Sequence, residues 1–248
     1  MNRHLSMRTA NPALQSDTFR KSMSASTAST GVMTINGVVN KTGLALLILI
    51  ISASVTLSNP EIAGLAFIGL ISGIVAAIAT IFKPTIANIT VPIYAISQGL
   101  VLGALSRVFE MQYPGIAVQA IFLTFGTLGS LLLAYMSGLI KATENFKLGV
   151  FAATGAIAVV YLINFIMSFF GSGIGVIHSS SPMGILFSLV VVGIAALNLV
   201  LDFDFIEEGA EIGAPKYMEW YATFGLLVTL IWLYIEILRL LSKLNNRR

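Results

Sequence analysis

Long apolar runs alternate with short polar stretches along most of the chain, at roughly 42 to 58, 62 to 82, 89 to 109, 115 to 140, 148 to 170, 183 to 206 and 217 to 241. A hydrocarbon core about 30 Å thick is crossed by about 20 mainly apolar residues in a helix. The pattern therefore predicts an all-α membrane protein, a bundle of about seven transmembrane helices. The punctuation is short: Asn59-Pro60-Glu61, Lys83-Pro84, Glu110 to Pro114, Lys141 to Lys147, the Gly/Ser stretch Gly171 to Pro182, and an acidic hairpin from Glu207 to Lys216. The first run reaches spanning length only if Val38 and Val39 join it and Lys41 extends its amine to the interface. A transmembrane barrel would need alternating segments of about ten residues. Continuous runs such as Leu44 to Val55 do not alternate.

Residues 1–40 differ in kind. They are rich in Ser, Thr and Asn, Asn11-Pro12 interrupts any long helix, and Ser22 to Ser29 reads as flexible. We expect a polar N-terminal tail followed by a membrane domain over 41–248. Arg3, Arg8, Arg20 and Lys21 against Asp17 also suit a transit peptide, whereas no apolar run with a small-residue cleavage site precedes the first span. Within the spans, Gly69 with Gly73 and Gly99 with Gly103 form small-xxx-small patterns that let helix backbones approach closely. No internal repeat is evident, which counts against an inverted-repeat transporter.

Composition agrees with this picture and narrows the chemistry. Of 248 residues, 56% are apolar and only 10% charged, far below the roughly one quarter of a soluble domain. The absence of cysteine excludes disulfides, thiolate metal sites and a cysteine nucleophile. The two histidines, His4 and His178, cannot assemble a histidine-rich metal site. The net charge of +3 comes from basic residues at the two ends, not from a stripe with interleaved aromatics, so no nucleic acid is expected. No Ser, His or Cys constellation sits beside a base, so we expect neither an enzyme nor a cofactor. The positive-inside rule puts the N-terminus in the cytoplasm, with Lys83, Lys141, Lys147 and Lys216 on the same side and Arg107 opposite. Seven crossings then leave Arg239, Lys243, Arg247 and Arg248 outside, so either the early helices dominate or the last segment re-enters.

Ionisable groups at membrane depth are expensive and point to function. Those in question are Asp202 and Asp204 at the end of the sixth span, Glu236 in the seventh, and Arg107. Asp202 shares a helix face with Asn198, whereas Asp204, about 200° round from Asp202, shares one with Glu207 and Glu208. Glu236 has Arg239 three residues on, enough for an intrahelical ion pair. Gln98, Asn164 and Asn198 read as interhelical hydrogen-bond glue. A carboxylate pair titrates as a unit, and protonated acids let helices close where ionised ones repel or recruit a cation. Calcium takes six to eight oxygens, which these acids alone do not supply, so any calcium site would be weak and lean on carbonyls and water.

Several stretches look familiar: Arg8-Thr9-Ala10-Asn11-Pro12-Ala13-Leu14 through Phe19, Pro92-Ile93-Tyr94-Ala95 to Gln98-Gly99-Leu100 and Gly103, and Asn198-Leu199-Val200-Leu201-Asp202-Phe203-Asp204-Phe205-Ile206-Glu207. Gly213-Ala214-Pro215-Lys216-Tyr217-Met218-Glu219-Trp220 continues to Ile237-Leu238-Arg239-Leu240-Leu241. Over nearly its whole length the chain resembles the bacterial branch of the Bax inhibitor-1/YccA family, the transmembrane Bax inhibitor motif proteins. The resemblance implies seven helices with the last one central. For some members it also implies a pH-sensitive calcium leak controlled by paired aspartates on helices six and seven. Asp202 falls on the helix-six aspartate, with Leu201 where a tyrosine is usual and Asp204 where a glutamine is usual. Neutral Thr229 stands at the expected helix-seven aspartate, Gln98 where many relatives have glutamate, and the second helix has no arginine.

The leading expectation is thus a bacterial inner-membrane protein that leaks calcium, with protons as a second ion, gated by Asp202 and Asp204. Asn198, Glu236, Arg239 and Gln98 are secondary polar positions. The alternative is a regulatory partner or substrate of a membrane-bound protease, without ion transport and with the N-terminal tail as its handle.

Overall fold

The structure, a computed structural model, describes residues 31–247 apart from the His178 side chain. The leader motif Arg8 to Phe19, the Ser-rich run, the transit-peptide reading and most of the expected tail lie outside the described residues, as does Arg248. Among the described residues seven helices are long and apolar enough to cross a membrane. They are α1 (Ile35–Ser58), α2 (Leu65–Phe82), α3 (Ala87–Gln112), α4 (Ile116–Met136), α5 (Glu144–Phe169), α6 (Pro182–Glu211) and α7 (Met218–Asn245). Each corresponds to one apolar run, and the chain is a multi-pass membrane protein.

Differences lie at the ends. α1 begins at Ile35, because the Thr34 hydroxyl caps it by accepting the Gly37 N–H at 3.0 Å. The expected boundary at residue 40 therefore falls inside a helix whose Val38 is already buried. α6 runs on to Glu211 and turns most of the acidic hairpin into helix, since backbone bonding continues where hydropathy stops. The turn to α7 is made at Gly213, whose φ of +65° is left-handed and favours glycine. α7 is uninterrupted over 28 residues, about 42 Å at the helical rise, which is long enough to cross a membrane.

The last helix is central. α7 packs on α6, α1, α3 and α4, and 67% of its apolar window is buried, against 11% for α5. Most of its circumference is apolar, as an enclosed helix requires: Tyr221, Phe224, Leu227, Leu233 and Leu238 are all fully buried, and the buried polar exceptions include Glu219, Thr229 and Glu236. The outward surface is apolar too, with Phe67, Phe82, Phe122, Leu133 and Phe169 exposed, as suits contact with lipid. The glycine pairs each serve a different contact. A Cβ on Gly69 would meet the Ser97 carbonyl oxygen of α3 at 2.6 Å, and one on Gly103 would meet the Ala53 carbonyl oxygen of α1 at 2.0 Å. Hydroxyls bind the same seams: Ser52 donates to the Ile96 carbonyl at 2.7 Å, and Thr80 to the Thr90 hydroxyl at 2.6 Å.

Candidate functional site

Asp202 lies on the face of α6 turned into the bundle, where it is 1% exposed. Neither carboxylate oxygen has a hydrogen-bond partner among the described residues. The side chain that interacts with it is Thr229 of α7, itself buried, short of full hydrogen-bonding geometry. Burying a carboxyl without partners is costly, which sets this position apart from the bonded carboxylates Glu219 and Glu236.

Asp204 faces elsewhere. α6 is regular through this stretch, so the two aspartates diverge as their spacing requires and form no local pair. Lys147 of α5 reaches the Asp204 carboxylate at 2.6 Å and lies 3.9 Å from Glu144. Asn198, one turn before Asp202, donates its amide to the Thr154 hydroxyl of α5 at 2.9 Å and to the Ile194 carbonyl at 2.8 Å. That bond is the interhelical glue expected of it. Gln98 is half-buried on α3, with its amide nitrogen 2.7 Å from where a Cβ on Gly73 would sit.

Towards the other end of α7, Glu236 is buried and paired with Arg239 at 2.9 Å. Tyr161 of α5 donates to both Glu236 oxygens at 3.0 Å and accepts from Arg239 at 2.7 Å. Lys243 is buried as well and donates to the Gly184 carbonyl at 3.0 Å and the Ser188 hydroxyl at 2.8 Å, both on α6. Two of the basic groups that upset the charge balance of the C-terminal end are thus consumed inside the bundle.

Sequence reasoning missed a buried, well-bonded carboxylate, Glu219, in the first turn of α7. It is 1% exposed, and it accepts from the Thr34 backbone N–H and hydroxyl, each at 3.0 Å, and from Lys41. Next to it the chain entering α1 is stitched to the α6–α7 turn, with Met33 donating to Ala214 and Lys216 to Gly31. The sequence presented it only as one residue of the Gly213 to Trp220 stretch. Its partners are about 180 positions away in sequence, which no local pattern reveals.

A model of the Bax inhibitor 1 like family matches residues 11–246, almost the whole chain. The chain belongs to the Bax inhibitor 1 like family. No curated protein and no solved structure matches it. In this Bax inhibitor 1 like protein the carboxyl at the α6–α7 contact faces a threonine hydroxyl, not a second acid. Among the described residues no three acidic or histidine side chains converge on a point. A divalent cation stopping here would take one carboxylate, with carbonyls and water completing its shell.

Proposed function

We propose that this protein is a pH-sensitive calcium leak of the bacterial plasma membrane, with its N-terminus in the cytoplasm, Asp202 as the gating carboxyl and Asp204 as an auxiliary one. It is neither an enzyme nor the carrier of a resident cofactor. The reading rests above all on one observation: Asp202 is fully buried at the contact between α6 and the central helix, with neither oxygen bonded. A protonated carboxyl can remain in that contact. An ionised one requires water or a cation, and either must part α6 from α7. Ionisation and opening are thereby coupled. Asp204 bears on the same motion through Lys147, because the ion pair ties the end of α6 to α5.

The test is calcium entry into proteoliposomes over roughly pH 5 to 8, a range in which perturbed carboxyls titrate. The native protein is compared with Asp202→Asn and Asp204→Asn. Flux that varies with pH and is changed by Asp202→Asn is the expected result. Flux no greater than in empty liposomes at any pH, from protein verified as folded, would sink the leak. The regulatory protein of a membrane protease would then be the remaining reading. Its handle is tested by deleting residues 1–30. A deletion through residue 36 would also remove Thr34, the cap of α1 and partner of Glu219.

A further inference from the structure

α1 and α4 both lean on α7 but hardly on one another. Between them lies a cavity of about 870 Å³, floored by Phe203 of α6 and Leu226 and Leu230 of α7. Its outer lips include Val39, Leu132 and Met136, which are exposed, so it opens sideways towards lipid. Lining residues on α1 run from Ile35 to Leu46, about 16 Å along the axis. That is close to half of a hydrocarbon core about 30 Å thick, the depth of one leaflet. Beyond it, sharing Leu46 and Leu230, an apolar pocket of about 260 Å³ continues towards the far side.

The charged groups of this cavity are gathered at one end. At the Ile35 end stand Lys141, Thr143, Tyr135, Asp204 and Glu207, with Asp204 already paired to Lys147 of α5, and Thr42 lies further in along α1. The Lys141 side chain is exposed and enters no ion pair among the described residues. Glu207 is exposed and accepts from the Tyr135 hydroxyl. A chamber one leaflet deep, apolar along its length, with a cation and an anion together at its rim, has the polarity of a phospholipid with a charged amine. We propose that the α1–α4 crevice is a binding site for an aminophospholipid of the leaflet at the Ile35 end. Its acyl chain lies between α1 and α4, its phosphate meets Lys141 and its ammonium meets Glu207. The chain's own N-terminal segment is a poor competitor, because its Ser-, Thr- and Asn-rich composition does not match an apolar lining.

Gly43 provides the test, since it lines the crevice and nothing stands within 4 Å of where its Cβ would be. The full chain is reconstituted in phosphatidylethanolamine and phosphatidylglycerol vesicles with a trace of phosphatidylethanolamine carrying an acyl-chain diazirine. Labelled peptides are then mapped. Labelling is expected to favour α1 and α4 around Val39 and Leu132 severalfold over the exposed Ile163 and Phe165 of α5. Gly43→Trp should cut crevice labelling about tenfold, equivalent to about 1.4 kcal/mol of lost affinity, and leave α5 labelling unchanged. Val39→Trp, at an exposed position on the lip, should do the same should Gly43→Trp not fold. Native mass spectrometry should find phosphatidylethanolamine retained over phosphatidylglycerol, with the preference lost in Glu207→Gln. Equal labelling of the crevice and α5 would overturn the site. So would crevice labelling that rises severalfold on deletion of residues 1–30, because the occupant would then be the chain itself. Equal retention of the two lipids would overturn the headgroup assignment.

Discussion

Asp202 of α6 faces Thr229 of α7, a carboxyl against a hydroxyl, and both residues are buried in the bundle. A second carboxylate at residue 229 would share the site, and two acids so placed titrate as a unit and repel when both ionise. Thr229→Asp should therefore make thermal stability strongly pH-dependent, with the unfolding temperature falling as pH rises, relative to the native protein. Unfolding of purified protein in detergent over roughly pH 5 to 9 checks this. Parallel curves for the two proteins would mean that residues 202 and 229 do not share a site.

Glu219 anchors the chain entering α1. Glu219→Ala leaves the Thr34 N–H and the Lys41 amine without their acceptor, and removing one partner of a buried pair costs about 3–5 kcal/mol. Lys41 is partly exposed and can turn to water, so a loss near the lower end, about 3 kcal/mol, is expected. Limited proteolysis should also show faster cutting around residues 31–34. Unchanged stability together with unchanged cutting would rule out the anchor.

Gly103 sits where α3 and α1 come closest. Gly103→Val must push the helices apart, because its Cβ would fall 2.0 Å from the Ala53 carbonyl oxygen. Overpacking of this kind costs about 1–3 kcal/mol or more. Gly126→Ala and Gly155→Ala, with open space around both positions, should change stability by no more than the helix preference of alanine, about 1 kcal/mol in their favour. Thermal unfolding of the three variants side by side separates contact from composition.

The two ion pairs should differ in weight. Glu236 is almost wholly enclosed, whereas Asp204 keeps 26% of its side chain exposed. Arg239→Met strands a buried acid on the Tyr161 hydroxyl alone, a loss of about 3 kcal/mol. Lys147→Met leaves Asp204 able to hydrate, a loss of about 1 kcal/mol or less. Equal losses would mean that the Glu236 cluster opens to water.

Hydropathy by itself determined the number of helices, their order and their approximate ends, because each helix satisfies its own backbone and must match the membrane thickness residue by residue. The small-residue spacing at Gly69 and Gly73 and at Gly99 and Gly103 was legible for the same reason, as was the Glu236–Arg239 pair: each lies within one turn of one helix. Which helix each pair met was not legible, since Gly99 and Gly103 turn to α1 and Gly69 and Gly73 to α3. The rarity of acids in apolar runs singled out Asp202 and Asp204, but only the packing separated them, one sealed against Thr229 and the other paired with Lys147. Glu219 carried no assigned role in the sequence, because only the fold brings Thr34 and Lys41 to it. The crevice between α1 and α4 has no counterpart in any local pattern. Periodicity along a chain records what one helix needs from its surroundings, and the partners that meet the need come from remote segments placed there only by packing around α7.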